Sequence, residues 1–246
     1  MIMAWHKKIV LLIVMFLLIP IYSEAKVYLV SVGITDYPGT NMDLTLPAKD
    51  AQTITWVYSK NMKMQYCQLL NKDATKDKII AAMNKVYSMA GPNDIIVFFY
   101  SGHGYPGGFC AYDGDLNYKA IRNSMSKSKC KNKMIFADAC FSGKIRTNGA
   151  SSQSEMSAAK KANVMLFLSS RSNETSMERR DMKNGFFTTY LQKGLRGAAD
   201  VNKDRIITAK ELFTYVHENV VDLSNGQQHP VMWGRFSDEM PVMSWR

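Results

Sequence analysis

Residues 95–104 read IIVFFYSGHG: six apolar residues in a row, a serine, and then a histidine between two glycines. A run with no polar face reads as a strand buried on both sides, the condition of a central strand in a parallel sheet covered by helices. Residues 134–143, MIFADACFSG, repeat the arrangement, with a short apolar run that leads into Asp138 and Cys140 and ends on Gly143. Ligands of open α/β sheets bind beyond the carboxyl ends of the strands. The two segments therefore direct attention to Ser101, His103 and Gly104 on one strand end and to Asp138 and Cys140 on another.

Working outward, VYLVSVG at 27–33 is a β-branched run closed by glycine, and 66–70 and 164–168 are further short strand candidates. Apolar residues recur at helical spacing over 46–60, 75–89, 184–195 and 208–223, and the turn sequence GPND at 91–94 stops the second of these. A last edge strand fits 231–236. Strands alternating with helices predict an α/β fold, a three-layer α/β/α sandwich around a mostly parallel sheet. The stretch 143–162, rich in Ser, Ala, Lys and Asn without a sustained apolar period, reads as a long loop.

The chain has 246 residues, 46% of them hydrophobic, enough for one sizeable core. Two lysines, an apolar run from Ile9 to Tyr22 and a small-x-small site at Ser23-Glu24-Ala25 predict a signal peptide over 1–25 and a mature domain over 26–246. The run falls short of the roughly 20 residues of a spanning helix, so the expectation is a secreted or periplasmic protein with no stable membrane association after cleavage. The formal charge is +10, and removal of 1–25 takes two lysines and one glutamate and leaves +9. No Lys/Arg run interleaved with aromatics accompanies it, so no nucleic-acid partner is expected. Of four cysteines, Cys67, Cys110, Cys130 and Cys140, the first three allow at most one intramolecular disulfide once Cys140 is set aside, and Cys110 with Cys130 is the expected pair.

A thiol attacks carbonyls as the thiolate, and at neutral pH it needs a base or cation beside it. His103 is suited to be that base for Cys140: adjacent parallel strands ending on one edge bring the two together although 37 residues separate them. The N–H groups of Gly104 and Cys140 are candidates for holding the oxyanion of a tetrahedral intermediate. No cofactor is required for this chemistry. Asp138, two residues before Cys140, points to the same side in extended chain.

The pair SGHG and DACFSG, with IIVFFY before the first and the opening VGITDY at 32–37, resembles the caspase, metacaspase and paracaspase group of cysteine peptidases over roughly residues 27–230. The resemblance implies a six-stranded sheet and a dyad of His103 as general base with Cys140 as nucleophile. Metacaspases and paracaspases carry an aspartate where Asp138 stands and recognise a basic side chain before the scissile bond, whereas caspases carry glutamine there. Asp50 resembles the upstream pocket acid of that side of the group, and Ser101 its hydroxyl neighbour. The implied partner is a peptide or protein substrate with Arg or Lys before the cut. Lys144, Arg146, Lys160 and Lys161 in the 143–162 loop are residues such a pocket accepts, so self-processing there is expected. His217 and His229 match no catalytic position and are expected in surface or structural roles. The alternatives are an idle binding or assembly module on the same fold and a calcium-binding exported protein.

The last of these rests on residues 200–211, DVNKDRIITAKE, which follow the twelve-residue calcium loop. Asp200, Asn202 and Asp204 take the first, third and fifth positions, Ile206 supplies the seventh-position carbonyl, and Glu211 stands at the twelfth. Arg205 replaces the glycine that permits the sharp sixth-position turn. Calcium is therefore a possible ligand.

Overall fold

The computed structural model describes residues 24–39, 41–105, 107–139, 164–170 and 181–245. Six strands form the central sheet: β1 (Val27–Gly33), β2 (Met64–Leu70), β3 (Ile95–Gly102), β7 (Asn132–Ala139), β8 (Val164–Leu168) and β10 (Val231–Gly234). Their order is β10-β8-β7-β3-β1-β2, with β10 antiparallel to β8 and every other pairing parallel. The six-stranded, mostly parallel sheet expected from the sequence is thus present.

Alternation along β1 and β3 divides the core into two. Val30, Val32, Phe98 and Tyr100 face α2 (Lys76–Tyr87) and α3 (Tyr118–Ser126). Leu29, Val97 and Phe99 face α1 (Pro47–Asn61), α4 (Phe186–Lys193) and α5 (Ala209–Leu223). Each helix begins where the sequence provides a start signal. Pro47 opens α1 with its φ already helical, and the Thr75 side chain accepts the Lys78 N–H ahead of α2. Thr208 and Glu211 form a reciprocal capping box on α5.

Four features depart from the sequence reading, the first being α3 itself (Tyr118–Ser126), which no helical spacing had marked. The strands leading to the site run further than their apolar runs, so that Ser101, Gly102, Asp138 and Ala139 lie within β3 and β7 rather than beyond them. The glycine-rich segment after His103, which shows no strand pattern in its residues, folds into a small antiparallel sheet of β4 (Gly104–Tyr105), β5 (Gly108–Ala111) and β6 (Gly114–Asn117). A Cβ at Gly108 would collide with the Leu116 carbonyl and the Tyr105 hydroxyl, so this glycine serves close backbone approach. Strands β9 (Ile206–Thr208) and β11 (Pro241–Ser244) pair in a third sheet.

The expected Cys110–Cys130 disulfide is corrected: Cys67, Cys110 and Cys130 are free thiols. Cys130 Sγ donates to the Asp94 carbonyl at the start of β3, whereas the Cys110 N–H binds the His103 carbonyl just past its end. An eight-residue strand of about 3.3 Å per residue keeps the two apart.

Candidate active site

The placement of the site follows from the pairing of β3 with β7. They run parallel and in register, Ser101 opposite Asp138 and Gly102 opposite Ala139. The next residue of one chain segment is His103 and of the other Cys140. Cys140 lies outside the described residues, as do Lys144, Arg146, Lys160 and Lys161 of the 143–162 loop and residues 1–23 of the expected signal peptide. Ala139 is fixed from the next strand, its N–H donating to Ser169 Oγ at 3.2 Å just past the end of β8.

His103 is held by both its backbone and its ring. Its N–H donates to the Tyr37 hydroxyl (2.9 Å) and its carbonyl accepts from the Tyr100 hydroxyl (2.8 Å), while the two tyrosine oxygens lie 3.1 Å apart. The Tyr37 ring stands 4.9 Å from the imidazole, tilted by 47°. His103 Nε2 is 2.7 Å from the Met42 carbonyl. A carbonyl only accepts, so Nε2 carries the hydrogen and Nδ1 of the neutral ring is the proton acceptor. The Gly104 N–H is not used by its own ladder. The Cys110-to-His103 bond makes that pair the hydrogen-bonded one, and Gly104 opposite Phe109 the open one.

Behind this edge lies a buried acid pair. Asp50, in the first turn of α1 and 1% exposed, accepts from Ser101 Oγ (2.8 Å), Asn184 Nδ2 (2.8 Å) and the Gly185 N–H (3.2 Å). Asp138, 7% exposed, accepts from the Thr188 N–H (3.1 Å) and Thr188 Oγ1 (2.8 Å) through Oδ2. Both carboxyls thus meet N–H groups at the N-terminus of α4, where the helix favours negative charge. Burial first, and the Asp138 charge second, push the Asp50 carboxyl well above the usual carboxylate range.

The sequence-predicted Asp50, Ser101, Asp138, His103 and Gly104 therefore share one sheet edge. Asn184, Gly185 and Thr188, which orient the acids, were not singled out from sequence, nor were Tyr37 and Ser169. Tyr37 had a signal, since it ends the VGITDY segment; the others are small polar residues of ordinary loop and helix-start composition. His217 is structural: Nδ1 lies 2.8 Å from the Pro230 carbonyl just before β10, and its ring packs by Phe213 and His229. Asp200, Asn202, Asp204 and Ile206 lie elsewhere, between α4 and α5, and Glu211 stands in the first turn of α5. Among the described residues no three His, Cys, Asp or Glu side chains converge as a metal site.

Among solved structures the chain is similar to protein GSU0716 from Geobacter sulfurreducens, at 20% identity and a TM-score of 0.63, over 86% of this chain and 94% of that one. It is also similar to pro-sf-caspase-1, at 15% identity and 0.60, over 87% and 94%. Caspase-1 from Spodoptera frugiperda matches at 14% identity and 0.62, over 87% and 88%. These identities speak for the fold alone. No curated protein matches the sequence. The family model of the caspase domain matches residues 27–240, nearly the whole of the folded chain just described, and with that match the chain belongs to the caspase-domain family of cysteine peptidases.

Proposed function

We propose that the protein is an active, exported thiol endopeptidase that cleaves after Arg or Lys, on the metacaspase and paracaspase side of its family. The observation that carries this reading is the buried pair of Asp138, in register with Ser101 on the strand ends that lead to Cys140 and His103, and Asp50, which accepts from the Ser101 hydroxyl. In the proposed reaction His103 Nδ1 takes the Cys140 thiol proton, the thiolate attacks the peptide carbonyl, and the N–H groups of Gly104 and Cys140 meet the oxyanion. His103 returns the proton to the leaving amine, and water then releases the acyl group from sulfur. A guanidinium or ammonium before the scissile bond is complementary in charge to two neighbouring carboxyls. Asp50, Ser101 and Asp138 form the floor of that pocket, and two carboxylates match the fork of Arg better than the point charge of Lys.

Export rests on the apolar segment and small-x-small site at the N-terminus, with the first strand starting at Val27, two residues beyond the expected cut. Fluorogenic peptides ending in Arg, Lys or Asp test the assignment. Turnover of the first two, lost in Cys140→Ala, is the expected result; turnover of the Asp peptide alone removes the basic pocket, and no turnover or thiol labelling by any chloromethyl ketone leaves the idle scaffold.

A further inference from the structure

The connection from α4 to α5 contains a loop whose form the peptidase chemistry does not require. Lys203 and Arg205 both take positive φ, 61° and 67°, conformations that cost a residue with a Cβ free energy. Between them the chain turns around its own acids. The Arg205 N–H donates to Asp200 Oδ2 (3.1 Å), the Asp204 N–H to Asn202 Oδ1 (2.9 Å), and the Ile206 N–H to Asp204 Oδ1 (2.8 Å). The turn then enters β9, which β11 pins, and α5 begins with Glu211 in its first turn.

A separate observation says what the loop lacks. Asp200 Oδ1, the second oxygen of the carboxylate whose Oδ2 is fastened to the Arg205 N–H, has under 1 Å² of exposed surface and no hydrogen-bond partner. A buried carboxylate oxygen without a donor is a standing cost, and the hydrogen bond from Arg205 to the other oxygen holds the carboxylate in the loop. A cation relieves it.

We propose that residues 200–211 bind one divalent cation, and that calcium is the ion that suits them. The donors are all hard oxygens: Asp200 Oδ1, the side chains of Asn202 and Asp204, the Ile206 carbonyl and Glu211, with water completing the six to eight ligands that calcium takes. Glu211 is bound to the backbone N–H and hydroxyl of Thr208 through Oε2 alone, so Oε1 is the oxygen it brings. The three acids do not converge in the present arrangement; ion binding turns the Glu211 carboxylate inward. Lys203 and Arg205 oppose the cation's charge, which places the affinity in the weak class of extracellular modules, on the order of 0.1–1 mM. The reading is independent of the peptidase assignment.

The test is calorimetric titration of calcium into the mature chain carrying Cys140→Ala, with magnesium in parallel. One calcium per chain is expected, with magnesium at least about tenfold weaker. Glu211→Gln keeps the cap, since glutamine serves at that helix position, and so leaves the ion-free unfolding temperature unchanged while weakening calcium at least about tenfold. Arg205→Gly removes the strain and the positive charge together and tightens calcium by about tenfold. Absence of both heat and thermal stabilisation at about 10 mM calcium, in wild type and in Arg205→Gly, overturns the proposal. So does binding that Glu211→Gln leaves unchanged, because the ion then sits elsewhere.

Discussion

His103 Nε2 lies 2.7 Å from the carbonyl oxygen of Met42, so the imidazole is oriented by the chain between β1 and α1. The bond selects the tautomer with a free Nδ1, and the reactivity of the Cys140 thiol is expected to depend on it. In His103→Ala the pH profile of iodoacetamide labelling at Cys140 moves to the ordinary thiol range, about 8.5, and kcat/KM falls by at least about a thousandfold. A labelling profile identical in the two proteins dismisses His103 as the base.

Tyr37 fixes the same histidine from its other side, through its hydroxyl and its ring. Tyr37→Phe keeps the ring contact and leaves the half-buried His103 N–H without its acceptor, for a loss of about 1 kcal/mol of stability. Turnover is expected to fall about tenfold through kcat with KM little changed, because the pocket acids are untouched. A rise in KM alone excludes this role.

The proposed role of the acid pair implies that recognition depends on pH. With its carboxyl raised by burial and by Asp138, Asp50 binds a proton more readily folded than unfolded. Its contribution to stability is therefore complete below the ordinary carboxylate value of about 4 and is lost as pH rises through the folded value. The melting temperature of Cys140→Ala should fall as pH is raised from about 4 toward neutrality, and Asp50→Asn should flatten that slope. KM for Arg peptides runs the other way, improving as Asp50 ionises, while Asp138→Asn raises it at least about tenfold. A KM independent of pH between these limits contradicts the pocket.

Two glycines shape the edge by what they exclude. A Cβ at Gly102 would stand 2.6 Å from both the Tyr37 and Tyr100 hydroxyls, and one at Gly185 would stand 2.6 Å from Asp138 Oδ2. Gly102→Ala is expected to cost about 1–3 kcal/mol and to reduce kcat by displacing His103. Gly185→Ala displaces the acid instead and is expected to raise KM for basic peptides. Thermal melts and steady-state kinetics on both variants separate the two effects.

Much of this was legible in the residues themselves. IIVFFY and MIFA have no polar face, so they had to be central strands, and the strand-end rule then brought His103 and Asp138 to one edge. Proline, threonine and glycine at element boundaries set most helix starts. The hairpin of β4 to β6 was hidden because its strands are two to four residues long and interrupted by glycine, too short for a period-two pattern to emerge. The free Cys110 and Cys130 were hidden for another reason: their separation is the length of β3, which only the sheet fixes.

The sequence alone determined the six strands of the central sheet, four of the five helices, and the two strand ends where the candidate catalytic groups stand, because local pattern and side-chain chemistry are properties of short stretches. Tertiary structure decided that Asp50, from a helix, meets Ser101 and Gly185, that Tyr37 and the Met42 carbonyl hold His103, and that Asp200 Oδ1 is buried without a donor. Those relationships join residues as many as 135 positions apart. They depend on register and burial, which exist only once the sheet and its two helical layers have closed.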